Sequence, residues 1–222
     1  MPVCLQAQLL WERDGIPSLK ALVQHLEETG IPATFVARTA HTRHKIETSS
    51  LDAFNPRTHV IRLTRVLAPA YELQVSHFDL GNVVFTTRSA MVEADQTREC
   101  AESMEMLALR TDVEFAYIQR DDSVPPLLAD VYLMKGPYRS GQTTILGPRL
   151  LKAIGDGSEA EGVRRVRALG AESVVSSPPA LLLHLDHSEC GRRFDSLGLF
   201  GTLDANGGVV AAANWERLRP PN

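Results

Sequence analysis

The first residues with chemistry in their spacing are 136–143, GPYRSGQT. Here Gly136, Gly141 and Thr143 match a phosphate-cradling loop of the form GxxxxGK[ST], in which backbone N–H groups, a lysine and a hydroxyl hold the phosphates. Gln142 stands at the lysine position and keeps a donor but loses the charge. A working loop must also open a helix whose positive end points at the anion. Gly147 and Pro148 follow only four residues after Thr143, so the helix is predicted to begin at Pro148, a favoured first-turn position, too far along the chain to do this. The segment therefore reads as a strand, a glycine-rich turn and a proline-initiated helix.

The second collection is HLDHSEC, with His184, Asp186, His187 and Cys190, all residue types that ligate zinc. On a strand His184 and Asp186 face one way and His187 the other, so the chain must turn at once to gather them. No second cluster at zinc-finger spacing completes the set, although His41 and His44 could contribute from a polar loop. His187 and Cys190 also have the types of a base and a thiol, but the chain carries no Gly-x-Ser-x-Gly elbow, and a catalytic pair is defined by geometry in space. Structural histidines are the expectation, with neither metal nor cofactor. A small hydrolase or metal-dependent enzyme built on these four residues is the alternative.

The third is a concentration of acid. Residues 91–130 hold 3 Lys or Arg against 10 Asp or Glu, whereas residues 1–90 hold 9 against 8 and residues 131–222 hold 11 against 9. Asp95, Glu99 and Glu102 fall at i, i+4 and i+7 of a helix expected over 90–112, on the face opposite Thr97, Cys100, Ala101, Met104, Leu107 and Ala108. Asp121 and Asp122 lie in the turn-rich stretch that follows. Solvated surface acids are the simplest account, and a solvated face likewise accounts for Arg164, Arg165 and Arg167. A displayed acidic surface also suits a basic protein partner, since complementary charge speeds encounter and selects partners. A nucleic-acid partner is not expected, because no basic stripe interleaved with aromatic residues is present.

The elements that must position these residues are legible in the hydrophobic pattern. Residues 3–11 read as a strand, and Ser18 caps a helix whose Leu19, Leu22, Val23 and Leu26 share a face before Gly30 stops it. Strands follow at 33–38 and 59–67, separated by a polar loop at 39–58, and residues 70–89 read as two strands joined at Leu80-Gly81-Asn82. After the acidic helix come strands at 113–119 and 128–134, a short helix ended by Gly155 and Gly157, and a helix opened by a Ser158 to Glu161 capping box. A buried strand at 180–186 and a hairpin turned at Asn206-Gly207 complete the chain. There is no internal repeat. The expected fold class is α+β: a mixed, mainly antiparallel sheet with helices packed on one face. Two subdomains of similar size, 1–90 and 91–222, are expected, either separate or sharing one sheet.

No apolar run approaches the roughly 20 residues that span a bilayer, and the N-terminus lacks the basic start of a signal peptide, so a cytoplasmic protein is expected. Cys4, Cys100 and Cys190 are odd in number and far apart, which suits reduced, buried thiols.

The segment TTILGPRLLKAIGDGSEAEGVRRVRALG with the later ALLLHLDHS resembles the C-terminal part of a bacterial immunity-protein family associated with type VI secretion effectors. The likeness rests on Leu146, Gly147, Pro148, Leu150, Leu151 and Gly155. It covers about 50 of the 222 residues, lacks the family's tryptophan before the segment, where Gln142 and Thr143 stand, and has Asp156 where a second glycine is expected. The resemblance implies a soluble α+β cytoplasmic protein that binds and neutralises one toxin without catalysis. The charge pattern, read independently, offers Asp95, Glu99, Glu102, Asp121 and Asp122 as the residues to meet a basic toxin or effector.

Overall fold

The computed structural model describes residues 3–12, 15–38, 42–55, 61–67, 70–77, 83–92, 95–111, 113–120, 143–168, 172–175, 181–184, 197–198, 202–206 and 209–218. The first strand, β1 (Val3–Glu12), leads to helix α1 (Leu19–Glu28). Ser18 Oγ accepts from the Ala21 backbone N–H at 3.2 Å, and Gly30, at φ +79°, carries the chain out of the helix. Then come β2 (Phe35–Ala37), β3 (His44–Lys45), a 3-10 helix (Thr48–Ala53), β4 (Ile61–Arg65), β5 (Ala70–His77) and β6 (Val83–Val92). The stretch 39–58, expected as a polar loop, thus holds a short strand and a helical turn.

Helix α2 (Thr97–Arg110) begins later than its periodicity suggests, because residues 90–92 continue β6. There Ala90 pairs with Leu5, and Met91 pairs with Cys4 on one side and Ala70 on the other. Pairing on both flanks outweighs the helical pattern of an apolar stretch. Beyond α2 lie β7 (Phe115–Arg120), β8 (Thr143–Leu146), α3 (Pro148–Ile154), α4 (Glu159–Ala168), β9 (Glu172–Val175) and β10 (Leu181–His184). The hairpin expected around Asn206 is present as β11 (Thr202–Leu203) and β12 (Val209–Val210), before a final helical turn, α5 (Trp215–Leu218). The strand expected at 128–134 lies outside the described residues.

Among the described residues ten strands form one sheet in the order β3-β2-β4-β5-β6-β1-β7-β8-β10-β9, with antiparallel pairings. The fold is α+β. The division expected at 90/91 falls inside β6, and β1 pairs with β6 on one side and β7 on the other, so one sheet runs through both halves.

Side chains alternate across β1, which sends Leu5, Ala7, Leu9 and Trp11 to the face covered by α1 and α2. There they meet Leu19, Leu22 and Leu26 of α1 and Cys100, Met104, Leu107 and Ala108 of α2, with Ile61, Leu63, Tyr71, Leu73, Ala116, Ile118 and Ile145 from neighbouring strands. Cys100 is buried and takes part in no disulfide. Two polar groups within this layer are paired: Trp11 Nε1 donates to Thr111 Oγ1 at 3.1 Å, and the Tyr71 hydroxyl donates to the Ile31 carbonyl at 3.0 Å. The alternate residues Gln8, Leu10, Phe115, Tyr117, Thr144 and Leu146 are also buried, so the middle of the sheet is covered on both faces.

The residues that carry the family resemblance form a packing unit. Leu146, Leu150 and Leu151 are buried, and a Cβ on Gly147 would lie 2.2 Å from the Val113 carbonyl oxygen. Gly155 comes equally close to α4, its Cβ position being 2.4 Å from Gly162 N. Helix α3 ends in a Schellman arrangement: Gly157 N–H bonds Lys152 O at 2.7 Å and Asp156 N–H bonds Ala153 O. Asp156 therefore occupies the left-handed position, φ 52°, usually taken by glycine. Its carboxylate accepts from Arg165, at 2.8 Å, and from Arg217. These cations, Arg165 first, hold Asp156 below the usual carboxylate range. Half of the expected capping box is formed: Glu161 N–H donates to Ser158 Oγ at 3.3 Å, but the Glu161 carboxylate turns to Arg164 and Arg165 instead of reaching back.

Candidate functional site

Helix α2 sets the geometry of the acidic surface. Its buried stripe of Thr97, Cys100, Ser103, Met104, Leu107 and Ala108 faces β1, β7 and β8, which leaves the opposite side to solvent. Its C-terminal half is tied to α1 by Ser103 Oγ donating to Thr29 Oγ1 at 2.9 Å and by Arg110 pairing with Glu28 at 2.8 Å. The helix is thus docked along its length against the sheet and α1.

On the outer side, Glu99, Glu102 and Met106 follow one another at i, i+3 and i+7, a single stripe along the helix. Met106 is 36% exposed. Glu102 accepts from Arg98 Nε at 2.7 Å, and this bond holds Arg98 more firmly in its charged form. Glu105 is turned toward the sheet, where the Thr143 hydroxyl donates to it at 2.7 Å. Among the described residues Glu99 and Asp95 have no ion-pair partner. Asp95 is exposed but sits in the turn before α2, two residues ahead of its first helical residue, so it flanks the stripe and does not continue it.

The remaining candidates separate. Thr143 opens β8 and is buried, with its hydroxyl committed to Glu105; helix α3 starts at Pro148, as its sequence predicts. Gly136, Gly141 and Gln142 lie outside the described residues. His184 ends β10 opposite Thr143 and Glu172, while Asp186, His187 and Cys190 are outside the described residues, as are Asp121, Asp122 and His41. Among the described residues no group of three or more His, Cys, Asp or Glu could hold a metal ion. Arg164 and Arg165 are engaged by Glu161. No helix of the described residues is long and apolar enough to cross a membrane.

One arrangement escapes the sequence reading. At the edge of the sheet Arg38, Arg43, His44 and Lys45 line an open cleft of about 770 Å³ with Phe54 and Glu47. Its signal in the sequence is the run RHK at 43–45, five residues after Arg38, in a stretch whose polarity reads as loop. The pairing of β3 with β2 at Phe35↔Lys45 and Val36↔His44, and the fold of the 3-10 helix that returns Phe54 to the same place, are needed to see it.

No family model matches the chain, and none of the curated proteins compared with it matches.

Proposed function

We propose that this chain is a non-enzymatic protein-binding module, an inhibitor of the immunity or antitoxin kind that neutralises a basic toxin by docking it on the outer face of α2. The observation that carries the reading is the stripe Glu99, Glu102 and Met106 on a helix locked against the sheet, with Glu99 free of any ion pair among the described residues. Carboxylates on a docked helix face attract and orient a cationic partner at little cost in ordering, and the exposed thioether that follows them along the stripe supplies adaptable apolar contact. The resemblance of the 143–170 segment to immunity proteins of type VI secretion points the same way.

The test is to identify the protein that co-purifies with the tagged chain and to titrate it against the wild type and a Glu99→Lys, Glu102→Lys variant. Both positions are exposed, so thermal stability is expected to be unchanged. The expected result is a basic partner whose affinity falls with added salt and drops by about tenfold or more in the variant. Equal affinity for the variant, or an acidic partner, would overturn the reading.

A further inference from the structure

The basic cleft lies apart from the α2 surface: α1 touches α2 on one side and the 3-10 helix beside the cleft on the other. Phe54 lies in the cleft at 9% exposure, and its ring contacts two of the lining side chains. The Arg38 guanidinium stands 5.1 Å from the ring centroid, and its Nη2 donates to the Ala53 carbonyl. His44 meets the same ring edge-on at 6.1 Å. A guanidinium placed over an aromatic face and tethered through one N–H has lost much of its rotamer freedom while keeping most of its donors for a ligand. Arg43 and Lys45 are exposed and have no carboxylate partner among the described residues.

Three permanent cations and one carboxylate, Glu47, thus line the same open depression. The surplus is positive and larger than a single monoanion would neutralise. The depression is open to solvent, and it is the density of positive charge in so small a region that favours a compact multiply charged molecule. Phosphate oxygens match the planar fork of Arg38, and a point charge such as Lys45 serves a second phosphate. We propose that this cleft binds a small ligand carrying a phosphate chain, either inorganic polyphosphate or a nucleoside di- or triphosphate.

The test is calorimetric titration of the full chain with inorganic triphosphate and with ATP, both without metal and at physiological salt. Either compound should bind saturably with 1:1 stoichiometry, and Arg43→Gln with Lys45→Gln should weaken binding by about tenfold or more at unchanged thermal stability. Equal affinities would place the recognition in the phosphates alone. Tighter binding of ATP, lost on Phe54→Leu when triphosphate binding is kept, would add the base as a second determinant of the same site. No saturable binding of either, binding indifferent to the double substitution, or tighter binding of a glutamate-rich peptide of equal charge would overturn the proposal.

Discussion

Arg149 Nε donates to Glu114 Oε1 at 2.7 Å while its Nη1 donates to the Leu218 carbonyl at 2.6 Å, so one guanidinium joins the entry to β7, the start of α3 and the end of α5. The Glu114 side chain is only 2% exposed, and its own backbone is fixed by a 2.7 Å bond from its N–H to Leu10 O. Taking a carboxylate out of water in that position is costly, and the guanidinium offsets part of that cost.

Arg149→Met is therefore expected to cost more than the loss of a surface ion pair, above about 1 kcal/mol, because it takes a guanidinium away from a buried carboxylate. Denaturant unfolding gives the measurement. The double variant Glu114→Gln, Arg149→Met should be more stable than Arg149→Met alone, since it removes the buried charge together with its cationic partner. A loss under about 1 kcal/mol for Arg149→Met would show that the pair is hydrated like an ordinary surface bridge.

Gly162 gives a case where two effects oppose. It sits inside α4, where replacing glycine by alanine normally gains up to about 1 kcal/mol of helix propensity. Yet a Cβ there would lie 1.9 Å from the Leu151 carbonyl oxygen and 2.7 Å from its carbon, both backbone atoms of α3 that no rotamer change can move. Overpacking of this kind costs about 1–3 kcal/mol, and the clash with backbone puts it at the upper end, so Gly162→Ala should be destabilising despite the better helix former. Gly15→Ala, where nothing lies within 4 Å, is the control and should be near neutral. A Gly162→Ala protein as stable as the wild type would mean that α3 and α4 do not cross this closely.

These contacts also show what the sequence could and could not reveal. Ser18, Gly30, Pro148 and the Asn206-Gly207 turn act on their immediate neighbours, so their elements are where local rules put them. The inward stripe of α2 is legible for the same reason. The pairing of β1 with β7 joins residues more than 100 positions apart and leaves no local mark, which is why one ten-stranded sheet could not be distinguished from two smaller units. The start of α2 was lost to the same kind of distant pairing, as β1 and β5 draw residues 90–92 into β6. Of the candidate sites, the Glu99 and Glu102 face follows from helical spacing alone. The cleft around Phe54 does not, because Arg38, Lys45 and Phe54 belong to three elements brought together only by the sheet edge and the 3-10 helix.

The last prediction concerns acid. Glu161 accepts from Arg164 Nε at 2.7 Å and Nη2 at 2.6 Å, and from Arg165 Nε at 2.9 Å. The bond from Arg164, with that from Arg165 next, lowers the carboxyl from its usual 4.5 to about 2. A folded-state value below the unfolded one means that the native protein holds its proton less readily, so the contribution is complete above about pH 4.5 and is lost as pH falls toward about 2. Glu161→Gln keeps the shape but not the charge. The gap in melting temperature between wild type and variant should be constant above pH 5, shrink between about 4.5 and 2, and close at the acid end. Carboxyl titration of Glu161 by NMR checks the cause directly: a midpoint near 4.5 would show that Arg164 and Arg165 do not hold the carboxylate in solution, and the hinge between α3 and α4 would then depend on its glycines and the Asp156 turn alone.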